Sequence, residues 1–401
     1  MPFYWLCPGW AILLFLQTVY LGLAAIPMYL IARHLFQQHR VAMLFTIGFM
    51  LVPPIVSQNV NQVEEPSFLL VFLLAAFYFF VTERFGWFLA FAFLACLGRE
   101  NVSLAVVMFG IYALLLRRHW KWVVTPVVLG GVYFWLALFV LIPSFRPGVE
   151  WHAVRMFSHL GDNPKAIVLN CLTNPALVIR HMTGGDNLSY VLTLVQPVGW
   201  VLPFFSGAAL LALPDLAINT LSNNGALKVI PWHYNVITGS FLFIGAMYSL
   251  RKLADRVRPR CGGQPEVVLA VVLTALCAAH WFLWFSPRCY VALPYHATLE
   301  RALARVPADK SLVAPLRLQV HIGNREHYQN TGIFASAPEY AAQFEYVLLD
   351  ANERQYMPVI TREFFEQFRR NPNYQLIFAE QNVFVFQRLG GESDWKVLPP
   401  R

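Results

Sequence analysis

The sequence predicts an α-helical polytopic membrane bundle of about ten helices, followed by a small C-terminal α/β domain. Three observations lead to this fold class. Of the 401 residues, 57% are hydrophobic and only 13% are charged, whereas a soluble globular domain carries roughly 25% charged residues. The mean hydropathy is +0.50. Long apolar runs alternate with short polar loops up to about residue 290, where the composition changes.

The apolar runs define the helices, because in lipid a backbone satisfies its hydrogen bonds within a helix of roughly 20 residues. Several runs are short for a full span, notably the pair that flanks Arg99–Glu100. We expect these short helices to be tilted, re-entrant or packed inside the bundle. The candidates are residues 11–32, 41–57, 67–82, 85–97, 102–116, 122–142, 188–205, 207–221, 234–250 and 266–286.

Basic loops predict the orientation, since Lys and Arg collect on the cytoplasmic side of a membrane. Three segments are basic, namely 33–40, 117–121 and 251–260. If successive candidate helices cross the membrane in alternating directions, all three segments lie on the same side. The opposite, outer side then receives residues 57–67, the Arg99–Glu100 turn, loop 143–187, residues 222–235 and the C-terminal tail.

Membrane lipids are the partners that the composition predicts. The net charge is +8, but the cations adjoin apolar runs and no basic stretch is interleaved with stacking aromatics, so nucleic acid is not an expected partner. Within loop 143–187, segment 163–182 is mildly amphipathic. We expect it to lie along the membrane interface as a helix rather than to cross the bilayer.

The tail has the pattern of a soluble domain. We divide the chain into a transmembrane domain, 1–287, and an extracytoplasmic α/β domain, 288–401. The tail contains short strand-like segments, of which the last two predict a hairpin across Glu380–Gln381. Between them and the earlier strands, residues 358–372 have the apolar spacing of an amphipathic helix.

The most unusual polar group in the apolar region is the adjacent set Arg99, Glu100 and Asn101. A charge near the bilayer is costly unless it is paired or faces water. Neighbouring residues on a helix point about 100° apart, so Arg99 and Glu100 do not pair well with each other. Two interpretations follow: the set lines a polar cavity open to the outer face, which we favour, or it forms a plain interfacial turn between helices.

Glu64 and Glu65 precede Pro66 at the start of an apolar run on the same side. Acidic groups at a helix N-terminus complement the macrodipole, so simple capping is one interpretation. The other is chemistry, because carboxylates serve as general bases and as ligands for Mg²⁺ or Mn²⁺. Glu64, Glu65 and Glu100 are therefore the candidate catalytic residues, and a divalent metal is the candidate cofactor.

Two later segments carry polar residues with helical spacing. Asp215 interrupts an apolar run, and Asn219 lies four residues later on the same helical face. Such a polar face usually points to the bundle interior, where it forms either a ligand site or a hydrogen-bonding contact between helices. His233 and Tyr234 stand at the outer end of the next helix. His233 is a candidate phosphate contact or acid/base, although a lone His more often has a structural role.

Two arginines in the tail complete the candidate substrate-binding set. Arg288 follows the last apolar run and Arg325 lies in "GNREHY". Arginine suits bidentate phosphate recognition, but for either tail arginine taken alone a solvated surface charge is the favoured interpretation. The sequence contains no P-loop, no GxGxxG after a strand, no GxSxG and no HExxH. These absences disfavour an ATP-driven pump and a soluble-type hydrolase.

The segments "GREN", "LALPDLAINTLSNN" and "WHYN", together with the tail "LARVPADKSLVAPLRLQVHIGNREHYQNTG…FEYVLLD", resemble a group of bacterial and archaeal multi-pass membrane proteins of unknown function. That group stands beside the integral-membrane glycosyltransferases called GT-C. The resemblance implies a GT-C-like bundle in a prokaryotic plasma membrane, an outer active site and a sugar donor carried on polyprenyl phosphate. It carries over to Arg99 and Glu100 at the charged turn, and to Asp215, Asn219, His233 and Tyr234 on the later helices.

The sequence departs from that group at its start. Members begin with an additional helix and a large outer loop bearing an acidic catalytic residue, and we expect that the N-terminus here is truncated or the loop lost. Three functions stay open on sequence alone. They are a glycosyltransferase or a degenerate relative of one, a transporter or lipid flippase that uses broken helices, and a non-catalytic membrane scaffold.

Overall fold

The computed structural model is predominantly helical and ends in a small mixed sheet. It describes residues 10–60, 63–145, 156–230, 232–261, 263–284, 294–315, 318–322, 325, 327–331, 343–352 and 360–389. The chain divides into two compact units, one comprising Leu16–Ser286 and the other Pro287–Pro400 with Met1–Phe15. The predicted fold class, a helical bundle with a small C-terminal α/β sheet, is confirmed.

The first part of the helical unit consists of apolar helices joined by short turns. The turn Glu83–Arg84 and the turn at 97–99 divide this region into three helices of only 12 to 16 residues. In chain order the helices are α1 (Trp10–Leu23), α2 (Ala25–Phe36), α3 (His39–Met50), α4 (Pro53–Val60), α5 (Pro66–Val81), α6 (Phe85–Cys96), α7 (Glu100–Leu115), α8 (Trp120–Leu136) and α9 (Ile142–Phe145), with a π-helical segment, Ala137–Leu141, between the last two.

The second part contains shorter and less regular helices before two long ones. Segments of 3₁₀-helix occupy Gln196–Val198, Leu202–Phe205, Gly207–Ala212, Gly225–Lys228 and His233–Asn235. The α-helices are α10 (Pro164–Thr173), α11 (Pro175–Thr183), α12 (Asn187–Val195), α13 (Leu213–Leu221), α14 (Val236–Cys261) and α15 (Pro265–Trp284).

The number of membrane spans is only partly confirmed. Within the described residues, three helical stretches are long and apolar enough to cross a bilayer, Ala11–Phe36, Trp120–Phe145 and Pro265–Leu283. A fourth span results if α3 and α4, which meet at a bend of 54°, count as one. Pro53 and Pro54 explain this bend, since proline lacks the N–H that would continue the helix. The helices α5, α6 and α7 are apolar but shorter than a span.

Two predicted helices are wrong in extent. A single helix over 188–205 does not form, because α12 ends at Val195 and Gly199 adopts a left-handed conformation with φ +87°. In the run 207–221 only Leu213–Leu221 is α-helical, and its second residue is Pro214, which favours the first turn of a helix. The amphipathic segment 163–182 forms two helices, α10 and α11, that meet at Asn174.

Aromatic rings dominate the core of the helical unit. Phe80 is fully buried and its ring contacts those of Phe88, Phe109 and Trp122 at centroid distances of 5.3 to 5.5 Å. Such edge-to-face and tilted contacts stabilise packing beyond the area they bury. They hold α5, α6, α7 and α8 together.

The C-terminal unit is a five-stranded mixed sheet in the order β2-β1-β3-β5-β4. The three strands β1, β2 and β3 run parallel, and β5 is antiparallel to both β3 and β4. The predicted hairpin is confirmed, with Gln381 and Asn382 both at positive φ, as a tight hairpin turn requires. The elements are α16 (Pro294–Ala304), β1 (Leu312–Ala314), α17 (Gln319–Ile322), β2 (Tyr328–Asn330), β3 (Tyr346–Asp350), α18 (Ile360–Arg370), β4 (Tyr374–Glu380) and β5 (Val383–Arg388).

Close packing of α7 against α8 depends on two glycines. A Cβ added at Gly130 would lie 2.3 Å from the carbonyl oxygen of Ser103, and one added at Gly110 would lie 2.4 Å from that of Val123. Small residues permit such close approach of helices in a membrane. The adjacent Gly131 has no heavy atom within 4 Å of an added Cβ.

We expect Gly130→Val to lower the free energy of unfolding by about 1–3 kcal/mol, because a backbone oxygen cannot move aside for the new side chain. Gly131→Val, in the same helix and with the same change in helix propensity, is the control and should be nearly neutral. Thermal unfolding of both variants in detergent measures the difference. Equal loss of stability in the two would contradict the close contact between α7 and α8.

Candidate functional site

The charged turn at 97–99 sits at the N-terminus of α7. Arg99 is in extended conformation, with φ −156°, and Glu100 is the first residue of the helix. Both side chains are half-buried. An acidic residue in the first turn interacts favourably with the helix dipole. The turn therefore presents a cation, an anion and the Asn101 amide from three successive positions.

Asp215 connects this turn to two later helices. Its Oδ1 accepts a hydrogen bond of 2.8 Å from Nδ2 of Asn101, and its Oδ2 accepts one of 3.0 Å from Oγ1 of Thr238. The side chain is buried, at 7% exposure. A buried carboxylate is costly unless it is hydrogen-bonded, so these two donors fix α7, α13 and α14 in one arrangement.

Asn219 holds the turn that precedes α14. Its Nδ2 donates to the Oη of Tyr190 and to the carbonyl oxygen of Tyr234, both at 3.1 Å. Tyr190 in turn donates to Oδ1 of Asn235 at 2.6 Å. Asn219 is 1% exposed and Asn235 is fully buried. This network matches the interpretation of Asn219 as a hydrogen-bonding contact between helices.

Tyr234 and Arg99 face each other. The Arg99 guanidinium carbon lies 5.5 Å from the centroid of the Tyr234 ring, which is a cation–π contact. Among the described residues, no carboxylate lies within ion-pair distance of Arg99, and none of its N–H groups has a hydrogen-bond partner there. Within the part of the chain that the structure describes, the guanidinium contacts an aromatic face.

His233 lies behind Tyr234, next to Glu64. Its Nδ1 is 3.5 Å from Oε1 of Glu64, and its ring centroid is 3.9 Å from that of Tyr234. Burial, together with the positive charge of Arg99, lowers the pKa of His233 to about 3. The imidazole is consequently neutral near pH 7, and its contact with Glu64 is not an ion pair at that pH.

A cavity of about 960 Å³ opens beside the charged turn. Its polar end is formed by Arg99, Glu100, Asn101, Asp215, Asn219 and Tyr234. The rest of its wall is largely apolar, and it includes residues of the π-helical segment, of 156–160 and of one face of α10. The charged turn therefore borders this cavity, and its role in ligand binding stays a prediction.

Other candidate residues lie elsewhere. Glu65 is exposed, and neither it nor Glu64 or His233 lines the cavity within the described chain. Arg325 belongs to the C-terminal unit, where it donates to the backbone carbonyls of Val306 at 2.7 Å, of Lys310 at 3.2 Å and of Pro307. These bonds hold a loop of that unit. Arg288 lies outside the described residues.

The carboxylates do not gather into a metal site. Across the part of the chain that the structure describes, no group of three His, Cys, Asp or Glu is arranged to hold a metal ion. Both oxygens of Asp215 already accept hydrogen bonds from Asn101 and Thr238. The metal predicted from Glu64 and Glu65 stays a prediction.

Sequence reasoning missed three contributors. Thr238 gives no signal, since a threonine inside an apolar helix is common. Asn235 is adjacent to the singled-out pair His233–Tyr234 and follows them in the same short segment, so it could have been included. The π-helical segment Ala137–Leu141 lies in an uninterrupted apolar run, and nothing in its composition distinguishes it from α-helix.

Comparison with known proteins identifies the family. No curated protein matches the chain. Among solved structures, a crystal structure of ArnT from Cupriavidus metallidurans bound to undecaprenyl phosphate is similar, with 12% sequence identity, a TM-score of 0.47, and coverage of 93% of this chain and 83% of that one. The family model described as predicted membrane protein, DUF2079, matches residues 1–385. The resemblance inferred from the sequence motifs is confirmed, and the chain belongs to the DUF2079 family of predicted membrane proteins.

Proposed function

We propose that this protein is a membrane glycosyltransferase that takes its sugar from a polyprenyl-phosphate carrier. The observation that carries the proposal is the cavity, which has one polar end with a cation and a carboxylate and an otherwise apolar wall. A lipid-linked sugar has the same division into a charged head and an apolar chain. The proposal also uses the GT-C resemblance of the sequence motifs.

Arg99 is the proposed partner of the donor phosphate. Its guanidinium is fixed against Tyr234 by the ring face, and its N–H groups lie in the guanidinium plane, where they remain available to an anion. Charge-assisted, bidentate contacts of this type are the strongest hydrogen bonds to phosphate. As the glycosidic bond breaks, the leaving phosphate gains negative charge, and Arg99 stabilises it.

Glu100 is the proposed general base. It lines the cavity next to Arg99, whereas Glu64 and Glu65 do not. In the reaction, the acceptor hydroxyl oxygen bonds to the anomeric carbon while that carbon's bond to the phosphate oxygen breaks. The hydroxyl proton passes to the Glu100 carboxylate, and the bonding electron pair leaves with polyprenyl phosphate. No step of this reaction passes through a metal.

Asp215 has a different role in this proposal. Its two hydrogen bonds orient Asn101 and Thr238, and its carboxyl group lies close enough to Arg99 for electrostatic interaction. It is therefore a positioning residue for the polar end. Asn219 positions Tyr234 in the same way, through the backbone carbonyl of that residue.

The proposed site faces the outside of a prokaryotic plasma membrane, with the C-terminal domain on the same side. This orientation follows from the basic segments 33–40, 117–121 and 251–260, which belong on the cytoplasmic side. A tag fused after Arg401 should then be cleaved by external protease in intact cells. Protection of that tag would refute the orientation.

A transporter or lipid flippase is the second candidate. The 54° bend between α3 and α4 and the π-helical segment favour it, because broken helices are typical of transport pathways. The two functions differ in product. A transferase cleaves the sugar–phosphate bond and releases polyprenyl phosphate, whereas a flippase returns its lipid intact. A non-catalytic scaffold has no need of the cavity.

Arg99→Gln should lower the transfer rate by roughly 10²–10³-fold, since a neutral amide cannot stabilise the leaving phosphate as a guanidinium does. The measurement is release of decaprenyl phosphate from decaprenyl-phosphate-linked glucose, mannose and arabinose, using protein in nanodiscs with a total membrane extract as acceptor. Arg117→Gln is the control, because Arg117 is exposed and does not line the cavity. Unchanged release in the Arg99 variant would remove this residue from the mechanism.

Glu100→Gln should lower the same release by roughly 10²–10⁴-fold, with little change in donor affinity, because it removes a proton acceptor and not a phosphate contact. Glu64→Gln and Glu65→Gln are matched controls that should retain most of the activity. If Glu64→Gln or Glu65→Gln is inactive while Glu100→Gln works normally, the base is one of the residues at the start of α5. Intact donor in all samples, including the wild type, would favour the flippase.

A further inference from the structure

Arg33, in the last turn of α2, has a guanidinium nitrogen that is buried without a partner. The nitrogen is Nη1, and among the described residues no hydrogen-bond acceptor meets it and no carboxylate lies within ion-pair distance of this side chain. A buried N–H of a charged group costs free energy when no acceptor meets it. The structure therefore indicates a place for an anion at this end of α2.

A second arginine, Arg251, approaches the same end of α2 from α14. Its guanidinium carbon lies 5.8 Å from the centroid of the Phe36 ring. Phe36 is three residues after Arg33, so the two side chains are neighbours on the surface of the helix. Arg251 lies fifteen residues beyond the first residue of α14, which is roughly 22 Å along the helix. Neither arginine lines the cavity described above, and this end of the bundle is separate from it.

Positive charge is in excess on the described residues around this end. In α14 and at the start of α15, the carboxylates of Asp255 and Glu266 each pair with an arginine of α14. Arg33 has no such partner, and Arg40 and Arg256 add exposed positive charge. An excess of cations attracts a ligand with net negative charge and repels a headgroup that carries a cation of its own.

The face of α2 that leads to Arg33 is apolar and exposed. Ile26 lies seven residues before Arg33, on the same face two turns away, and it is 55% exposed. One turn earlier in the same helical stretch, an added Cβ at Gly22 would have no heavy atom within 4 Å. At 1.5 Å per residue, Ile26 is about 10 Å from Arg33 along the helix. This face fits an acyl chain whose phosphate is at Arg33.

We propose that the guanidinium fork of Arg33 binds the phosphate of an anionic phospholipid, with Arg251 adding positive charge and the Ile26 face contacting an acyl chain. A free phosphate makes the same charge-assisted hydrogen bonds to a guanidinium. It gains nothing from an exposed apolar face, however, so the structure favours the lipid as occupant. The site is separate from the cavity, and the proposal does not rest on the proposed function.

The test measures lipid binding to the full-length protein in detergent by native mass spectrometry. The probes are dioleoyl phosphatidylglycerol, which is anionic, dioleoyl phosphatidylcholine, which has the same chains and no net charge, and inorganic phosphate as a competitor. We expect the first molecule of phosphatidylglycerol to bind roughly fivefold more tightly than that of phosphatidylcholine, and inorganic phosphate not to displace it. Equal binding of the two lipids, or displacement by an equal concentration of inorganic phosphate, would overturn the proposal.

Three variants separate a specific site from general attraction to a basic surface. Arg33→Gln should raise the phosphatidylglycerol concentration for half-saturation roughly tenfold, because it removes charge-assisted hydrogen bonds to the phosphate. Arg33→Lys keeps the charge but not the planar fork, and it should retain only part of the affinity. Arg256→Gln is the matched control, since it removes the same charge from an exposed arginine, and it should leave the affinity nearly unchanged. Equal weakening by Arg33→Gln and Arg256→Gln would refute the site.

Thermal unfolding of the same proteins gives a second readout. A lipid that binds the folded protein raises its Tm by mass action. Phosphatidylglycerol should therefore raise the Tm of the wild type and of Arg256→Gln, but not that of Arg33→Gln. If Arg33→Gln does not fold, Arg33→Lys replaces it, and an affinity and a Tm increase equal to those of the wild type would contradict the contact with the guanidinium fork.

Discussion

The carboxylate of Asp215 is the interaction on which the rest of the site depends. It is almost fully buried in an apolar bundle, and it accepts one hydrogen bond from α7 and one from α14. Removing either donor would leave a buried charge incompletely bonded, which costs more than the bond itself contributes. The start of α7, with Arg99 and Glu100, is thereby fixed relative to the turn that carries Tyr234.

From this constraint follows the division of the cavity. The hydrogen-bonded residues collect at one end, where Asp215 accepts from Asn101 and Thr238 and where Asn219 donates to Tyr190 and to the carbonyl oxygen of Tyr234. In the other part of the cavity wall, α10 and the π-helical segment contribute apolar side chains. The protein therefore separates a charged end from an apolar portion within one space, and the proposed function depends on that separation.

The sequence predicted more of the site than of the span count. Motifs around residues 99, 215 and 234 were selected because polar residues in apolar helices are costly, and the fold brings these three together around one cavity. The span count is only partly confirmed, and hydropathy alone does not show where a helix bends or changes to 3₁₀, as at Pro53 and Gly199. Thr238 could not be selected at all, because its importance lies in a partner 23 residues away in the chain.

The choice between Glu64–Glu65 and Glu100 as the catalytic carboxylate needed the structure, since all three residues precede an apolar run on the predicted outer side. Glu64 lies beside His233, whose side chain is neutral near pH 7, and the His233 ring in turn contacts the ring of Tyr234. Glu100 follows Arg99 in the chain and borders the open space, whereas Glu64 and Glu65 do not line it within the described residues. The structure therefore distinguishes these carboxylates by their access to the cavity. The proximity of a carboxylate to a helix N-terminus therefore says little about chemistry until the void beside it is known.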